Sequence, residues 1–139
     1  MKVTICNDEK TAVSTKELRL GNIVNDDEKV ISISFDGTVE VSYDSAEKGN
    51  ATQYKDISKI KPIPLTEEWL LRFGFKDVSG NIEKRFVKGR FNWYSSTRYI
   101  TVEFDNGLSN FDLDTDCRYV HQLQNLYHTI NGEELKYDL

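Results

Sequence analysis

The run from Asp114 to Gly132 restricts the fold most, because it is typical of one long amphipathic helix. Apolar side chains recur in it at helical spacing, and they are Tyr119, Val120, Leu123, Leu126, Tyr127 and Ile130. We expect Asn131-Gly132 to end the helix in the left-handed conformation, and its start to be capped by Asp114, Thr115 or Asp116. A helix of this kind must bury its apolar stripe, so the remaining chain has to supply a layer for it to pack on.

Short segments of alternating polarity dominate the first part of the chain. The pattern over Lys29 to Phe35, the turn at Asp36-Gly37 and the return over Thr38 to Tyr43 predict a β-hairpin. A lone hairpin is not stable, so further strands must join it. We therefore predict a small antiparallel SH3-like β-barrel or curled sheet for residues 1–61, with a loose N-terminal segment.

Residues 62–139 are expected to form a second unit. Pro62 and Pro64 act as a stiff extended joint, and the segment from Thr66 to Gly74 predicts a short helix that Thr66 caps. An antiparallel meander is then expected, with Asn106-Gly107 as its strongest turn and strands over residues 82–88, 91–94, 98–104 and 108–113. The C-terminal helix packs across this meander, which gives an α+β fold class.

Composition excludes several classes of function. The chain has 139 residues and a formal net charge of −5, which argues against a protein that binds duplex DNA through a basic face. Cys6 and Cys117 lie far apart and in no Cys/His spacing, so we expect neither a zinc site nor a disulfide, and no cofactor. No apolar run reaches membrane length, and we expect a soluble protein in a reducing cytoplasm, without membrane contact.

One local reversal of charge stands out between Lys84 and Tyr99, where basic and aromatic residues alternate without an acid. Arginine forks and aromatic faces suit a phosphate and a base, as in the binding of nucleotides or single strands. The candidate ligand-binding residues are Arg85, Lys88, Arg90, Trp93, Tyr94, Arg98 and Tyr99. The alternative is an ordinary meander whose aromatic residues face the core and whose basic residues face solvent.

The polar face of the C-terminal helix is a secondary candidate, formed by His121, Gln124, Asn125 and His128. The two histidines lie two turns apart and have no carboxylate partner at a ligand spacing, so we expect no metal. Asp112, Asp114 and Asp116 lack the glycine and the distal glutamate of a calcium loop. No nucleophile elbow or glycine-rich phosphate loop is present either, and we expect no enzyme activity.

Three motifs carry a family resemblance: KELRLGNIV at 16–24, IKPIPLTEEWLLRFGF at 60–75, and YVHQLQNLY with TINGEEL between 119 and 135. In this order and spacing, the chain resembles a family of short proteins encoded by phages, prophages and other mobile elements of gut Bacteroidota. The resemblance supplies no activity and no catalytic residues. It implies an accessory protein that works in the cytoplasm of the host cell.

Three functions remain open at this point. The first is a binding protein that counters host defence by sequestering a nucleotide signal or by blocking a host immune protein. The second is a module for single-stranded nucleic acid, whose binding would depend on salt and on strand length. The third is a structural or protein-docking role, and homo-oligomerisation stays open with it.

Overall fold

The computed structural model describes residues 13–45, 49–105 and 110–137. The chain divides into two compact units with the boundary between Ile63 and Pro64, and each unit is described by itself. The described residues form two antiparallel sheets and two helices, which confirms the α+β class. Neither of these helices is long and apolar enough to cross a membrane.

The first unit contains a four-stranded antiparallel sheet. Its strands follow the chain order, with β1 and β4 at the edges, so the sheet is open within the described residues. A 3₁₀ turn at Ile57–Lys59 follows the last strand. The strands are β1 (Ile23–Val24), β2 (Glu28–Ile33), β3 (Thr38–Ser45) and β4 (Gly49–Asp56).

A β-bulge in β2 changes which of its residues face the core. Strict alternation groups Ile31 with Ile33, but the register shifts between Val30 and Ser32, so Val30 pairs with Val41 and Ile33 with Val39. Val30 and Ile33 therefore both pack toward the core, while Ile31 is exposed. The bulge adds one residue that no hydrophobic pattern marks in advance.

The second unit is a five-stranded antiparallel meander with two helices, and neighbouring strands pair in chain order. The order of the meander and its terminal helix is as predicted, and one edge strand was not expected. The strands are β5 (Lys76–Asp77), β6 (Arg85–Lys88), β7 (Phe91–Tyr94), β8 (Tyr99–Asp105) and β9 (Asn110–Asp116). The helices are α1 (Glu67–Arg72) and α2 (Val120–Asn131).

Helix α2 starts later than predicted. The expected caps Asp114, Thr115 and Asp116 belong to β9, so the proposed start of this helix was wrong. The side chain of Gln122 satisfies the first turn instead, because its Oε1 accepts hydrogen bonds from the backbone N–H groups of Arg118 (2.8 Å) and Tyr119 (3.2 Å). The predicted end is confirmed, since Gly132 lies in the left-handed region with φ 76°.

The inner face of the five-stranded sheet carries the apolar residues. Phe86, Trp93 and Ile100 are directly opposite one another across β6, β7 and β8, and all three are buried. Helix α2 covers this face, as shown by the rings of Phe91 and Tyr127, whose centroids are 5.2 Å apart. Alternation of side chains then directs the intervening residues of the same strands to the outer face.

The segment after α2 takes part in the fold, although the sequence shows only a short polar tail. Leu135 is buried, and the ring of Tyr137 lies 6.2 Å from Trp69 and 5.8 Å from Phe73 of the α1 segment. The guanidinium of Arg72 lies 3.9 Å from the centroid of the Trp69 ring. This segment therefore closes an aromatic cluster against α1.

Two predictions concern residues outside the described ranges. The loose N-terminal segment falls mostly on residues 1–12, and the Asn106-Gly107 turn lies between β8 and β9. Both stay predictions.

The cap of α1 gives a test of backbone strain. Thr66 caps the helix as predicted, its Oγ1 accepting from the Trp69 N–H at 3.4 Å, and Gly74 follows the helix with φ 88°. We expect Gly74→Ala and Gly132→Ala each to lower the free energy of unfolding by roughly 1–2 kcal/mol, because both positions are left-handed. The two losses should be similar. A Cβ at Gly74 would lie 2.8 Å from Lys88 Nζ, the end of a flexible side chain that moves aside at little cost, and one at Gly132 meets nothing within 4 Å.

Urea unfolding of the two variants measures both losses. In a Lys88→Ala background the loss caused by Gly74→Ala should change by less than about 1 kcal/mol, since only the contact of one ammonium with the C-terminal end of α1 is then absent. A loss at Gly74 that exceeds the loss at Gly132 by more than about 2 kcal/mol, and that Lys88→Ala removes, would show that Lys88 cannot move aside.

Cys117 gives a second test. Its side chain is buried, and burial, followed by the charge of Asp116, raises the thiol pKa from 9.0 to about 12. In a Cys6→Ser variant at pH 8 we expect a thiol reagent such as DTNB to react only after unfolding, because the thiolate is the reactive species. Labelling of the native protein at the rate of the unfolded chain would show that Cys117 is accessible.

Candidate functional site

The outer face of the five-stranded sheet brings three of the candidate residues into one row. Arg85 of β6 pairs with Tyr94 of β7, and Tyr94 pairs with Tyr99 of β8. Directly opposed side chains on one face lie about 5 Å apart at their Cβ atoms. A basic side chain and two tyrosine rings therefore lie side by side on a face that α2 does not cover.

A polar network orients the arginine. Arg85 Nη1 donates to Asn92 Oδ1 at 3.1 Å, and Asn92 Nδ2 donates to Glu103 Oε2 at 2.6 Å. Asn92 is only 2% exposed, although it points to the outer face. A buried amide with both of its ends bonded fixes the direction of the guanidinium. Arg85 forms no ion pair with any residue of the described chain.

An open pocket of about 550 Å³ lies at the β6 end of this row. Its walls are Arg85 and Tyr94 together with Val78 and residues 80–83 of the loop between β5 and β6. The volume falls within the range of about 300–1,000 Å³ found for small-molecule sites. Two candidate residues thus share one cavity.

Hydrogen bonds hold the loop that forms the other wall. The backbone N–H of Val78 donates to the Arg85 carbonyl at 2.9 Å, and the N–H of Gly80 donates to the Glu83 carbonyl at 3.1 Å. Asp77 accepts from the hydroxyl and the backbone N–H of Ser79, and these bonds lower the pKa of the Asp77 carboxyl. The loop between β5 and β6 therefore has a defined conformation and forms one wall of the pocket.

Apolar and acidic groups share this wall. Val78 is 42% exposed and Ile82 is 99% exposed, so both present apolar surface to solvent. Glu83 accepts a hydrogen bond from the Ser96 hydroxyl at 2.6 Å. The pocket thus combines an apolar surface, a ring, one cation and one carboxylate.

The remaining basic candidates lie elsewhere. Lys88 is on the inner-face side of β6 and reaches the C-terminal end of α1. Arg90 lies in the β6–β7 turn, with its guanidinium 5.7 Å from the Phe104 ring. Arg98 is exposed in the β7–β8 turn next to Tyr99, with a positive φ of 57°. The structure therefore brings Arg85, Tyr94 and Tyr99 together, with Arg98 at their end of the sheet.

Trp93 belongs to the core. This agrees with the alternative interpretation of the Lys84–Tyr99 stretch, in which the aromatic residues of the meander face the core. The side chain is 3% exposed, and Nε1 donates to the Cys117 carbonyl at 2.9 Å. Its ring is therefore not available to stack on a ligand.

The secondary candidates on α2 do not form one exposed face. His121 and Gln124 are buried, at 1% and 2% exposure, while Asn125 and His128 are half-buried. The prediction that the four residues share a solvent-facing surface was wrong, because the buried stripe of α2 is wider than its apolar residues. His121 stacks on the Tyr119 ring at a centroid distance of 6.1 Å.

Sequence reasoning missed Asn92 and Glu83. Asn92 lies between Phe91 and Trp93, and alternation could have placed it on the outer face beside Arg85. Glu83 directly precedes the basic stretch, and no spacing in the sequence connects it to the pocket. Within the described ranges, no three His, Cys, Asp or Glu residues cluster as metal ligands would.

The comparisons with known proteins supply no relative. No protein-family model matches the chain, and neither a curated protein nor a solved structure is significantly similar to it. The function has to be argued from the geometry of the residues.

The two sides of β7 give a matched pair of substitutions. We expect Trp93→Phe to lower the free energy of unfolding by roughly 1–3 kcal/mol, because it leaves the buried Cys117 carbonyl without its donor. Tyr94→Phe, one residue away on the outer face, should change it by less than about 0.5 kcal/mol. Chemical denaturation measures both. Similar losses would contradict the assignment of Trp93 to the core and Tyr94 to the surface.

Proposed function

We propose that this chain is a non-enzymatic binding protein that holds a nucleotide-type ligand in the pocket beside Arg85 and Tyr94. The observation that carries the proposal is that a ring and a cation from one cross-strand pair line the same cavity, and that this cation forms no ion pair within the described residues. A base stacks on the ring of Tyr94, and a phosphate accepts hydrogen bonds from Arg85. Stacking on an aromatic side chain contributes roughly 1–3 kcal/mol per base.

Arg85 suits the phosphate role because of its surroundings. Its one side-chain partner in the described chain is the neutral amide of Asn92, which directs the guanidinium without cancelling its charge. The fork of an arginine presents several parallel donors, and hydrogen bonds between charged groups are roughly twice as strong as neutral ones. Lys84, by contrast, is paired with Glu67 at 3.2 Å.

The second candidate is a module for single-stranded nucleic acid. The neighbouring Tyr94 and Tyr99 favour it, since two rings in a row could stack successive bases. The charge of the same face argues against it, because Glu103, Asp114 and Asp116 continue the outer face beyond Tyr99. A polyanion that continues from the pocket across the sheet would meet these carboxylates, whereas a ligand confined to the pocket avoids them.

The resemblance to phage and mobile-element proteins suggests a biological setting. In that setting, sequestering a nucleotide signal in the host cytoplasm would counter a host defence, and blocking a host immune protein is the alternative for the same class of accessory protein. We also propose that the first unit is an SH3-like module. Its four short antiparallel strands and the 3₁₀ turn after them support this assignment.

Native mass spectrometry tests the proposal. The purified protein is measured alone and with mono-, di- and cyclic nucleotides and short oligonucleotides. We expect an adduct of one small nucleotide per chain, with an affinity reduced about 10-fold or more in Arg85→Gln and in Tyr94→Leu. Arg90→Gln is the matched control, since it removes the same charge at the opposite end of β7.

Three results would contradict this function. An adduct that survives both pocket substitutions would place the ligand elsewhere. Affinity that rises with oligonucleotide length and falls steeply with salt would favour the single-strand module. A bare protein mass under every condition would remove both nucleotide functions and favour a protein-docking role.

A further inference from the structure

Glu83 is the one acidic side chain lining the pocket in the described chain, and its position requires a reason if the ligand is an anion. The Ser96 hydroxyl donates to Oε1 at 2.6 Å, which fixes the carboxylate. No described residue donates to Oε2. Oε2 therefore remains as an acceptor for a ligand, and Oε1 keeps a second lone pair that can accept from the same ligand.

Glu83 and Arg85 lie two residues apart, and both line the pocket. The Ser95 N–H donates to the Lys84 carbonyl at 3.1 Å, which ties the residue between them to the residue after β7. The pocket thus contains a negative side chain, Glu83, which accepts hydrogen bonds, and a positive side chain, Arg85, which donates them. A matching ligand carries hydrogen-bond donors at one end and an anion at the other.

We propose that this pocket selects a guanine nucleotide, with Glu83 accepting hydrogen bonds from the guanine N1–H and the 2-amino group. The inference rests on the proposed function and deepens it. Guanine presents two adjacent donors on its Watson–Crick edge, and these match the two oxygens of one carboxylate. Glu83 is a specificity-determining residue in this arrangement, while Arg85 and Tyr94 bind the parts that all nucleotides share.

The hydrogen-bonding edges of the other bases match the Glu83 carboxylate poorly. Adenine and cytosine present a ring nitrogen acceptor beside their amino group, so one carboxylate oxygen would face a lone pair. Uracil offers a single donor between two carbonyl oxygens. An unmatched polar group in a recognition site costs affinity for the wrong ligand, and a well-placed bidentate contact contributes roughly 10- to 150-fold discrimination between bases.

Isothermal titration of the full-length protein with GMP, IMP, AMP, CMP and UMP tests the inference. We expect GMP to bind at least 10-fold more tightly than AMP, with IMP between them because it keeps N1–H and lacks the 2-amino group. In Glu83→Gln the ratio of GMP to AMP affinity should fall to about threefold or less, with AMP binding retained. Glu68→Gln, the same change at an exposed position of α1, is the control and should keep the full ratio.

The outcomes separate this inference from the function on which it rests. Equal binding of GMP and AMP by the unmodified protein overturns the guanine selectivity and leaves nucleotide binding in place. An unchanged ratio in Glu83→Gln overturns the role of Glu83. Failure of all five nucleotides to bind overturns the selectivity together with the proposed function. The comparison of GMP with IMP needs no variant, so it holds even if Glu83→Gln does not fold.

Discussion

Burial of a single face of the five-stranded sheet is the constraint on which the second unit depends. Along β7, Phe91 and Trp93 face the layer formed by α2, and the residues between and after them, Asn92 and Tyr94, face outward. A shift of register by one residue would bury Tyr94 with Arg85 and expose the tryptophan. The same alternation that builds the core therefore also builds the outer surface on which the pocket lies.

This alternation divides the basic and aromatic stretch into parts with different roles. Trp93 packs inside and Lys88 reaches the end of α1, whereas Arg85 and Tyr94 meet across two strands and line the pocket. Buried Asn92 links these roles, since it belongs to a core strand and holds the guanidinium through its amide oxygen. The sheet thus positions Arg85 and Tyr94 of the candidate site, and the loop between β5 and β6 adds Glu83 to the pocket.

The sequence predicted those features that depend on local pattern. Thr66 and Gly132 marked helix ends because caps and left-handed stops have strong residue preferences. It failed where tertiary pairing overrides local pattern: Asp114–Asp116 resemble a cap but extend β9, and the bulge at Ile31 changes which side of β2 faces the core. For the candidate site, the sequence marked two of the residues that line the pocket. Arg85 and Tyr94 carried a composition signal, whereas the role of Glu83 depends on a loop geometry that no spacing reveals.

The central claim is that a small ligand occupies the outer-face pocket of the second unit. It is tested most directly by following backbone amide shifts in ¹H–¹⁵N spectra of the full-length protein during a titration with GMP. The account predicts saturable shifts concentrated in residues 78–85 and 94–99, with α2 and the four-stranded sheet unaffected. Shifts confined to α2 or to the first unit, or no shifts at millimolar GMP, would contradict it.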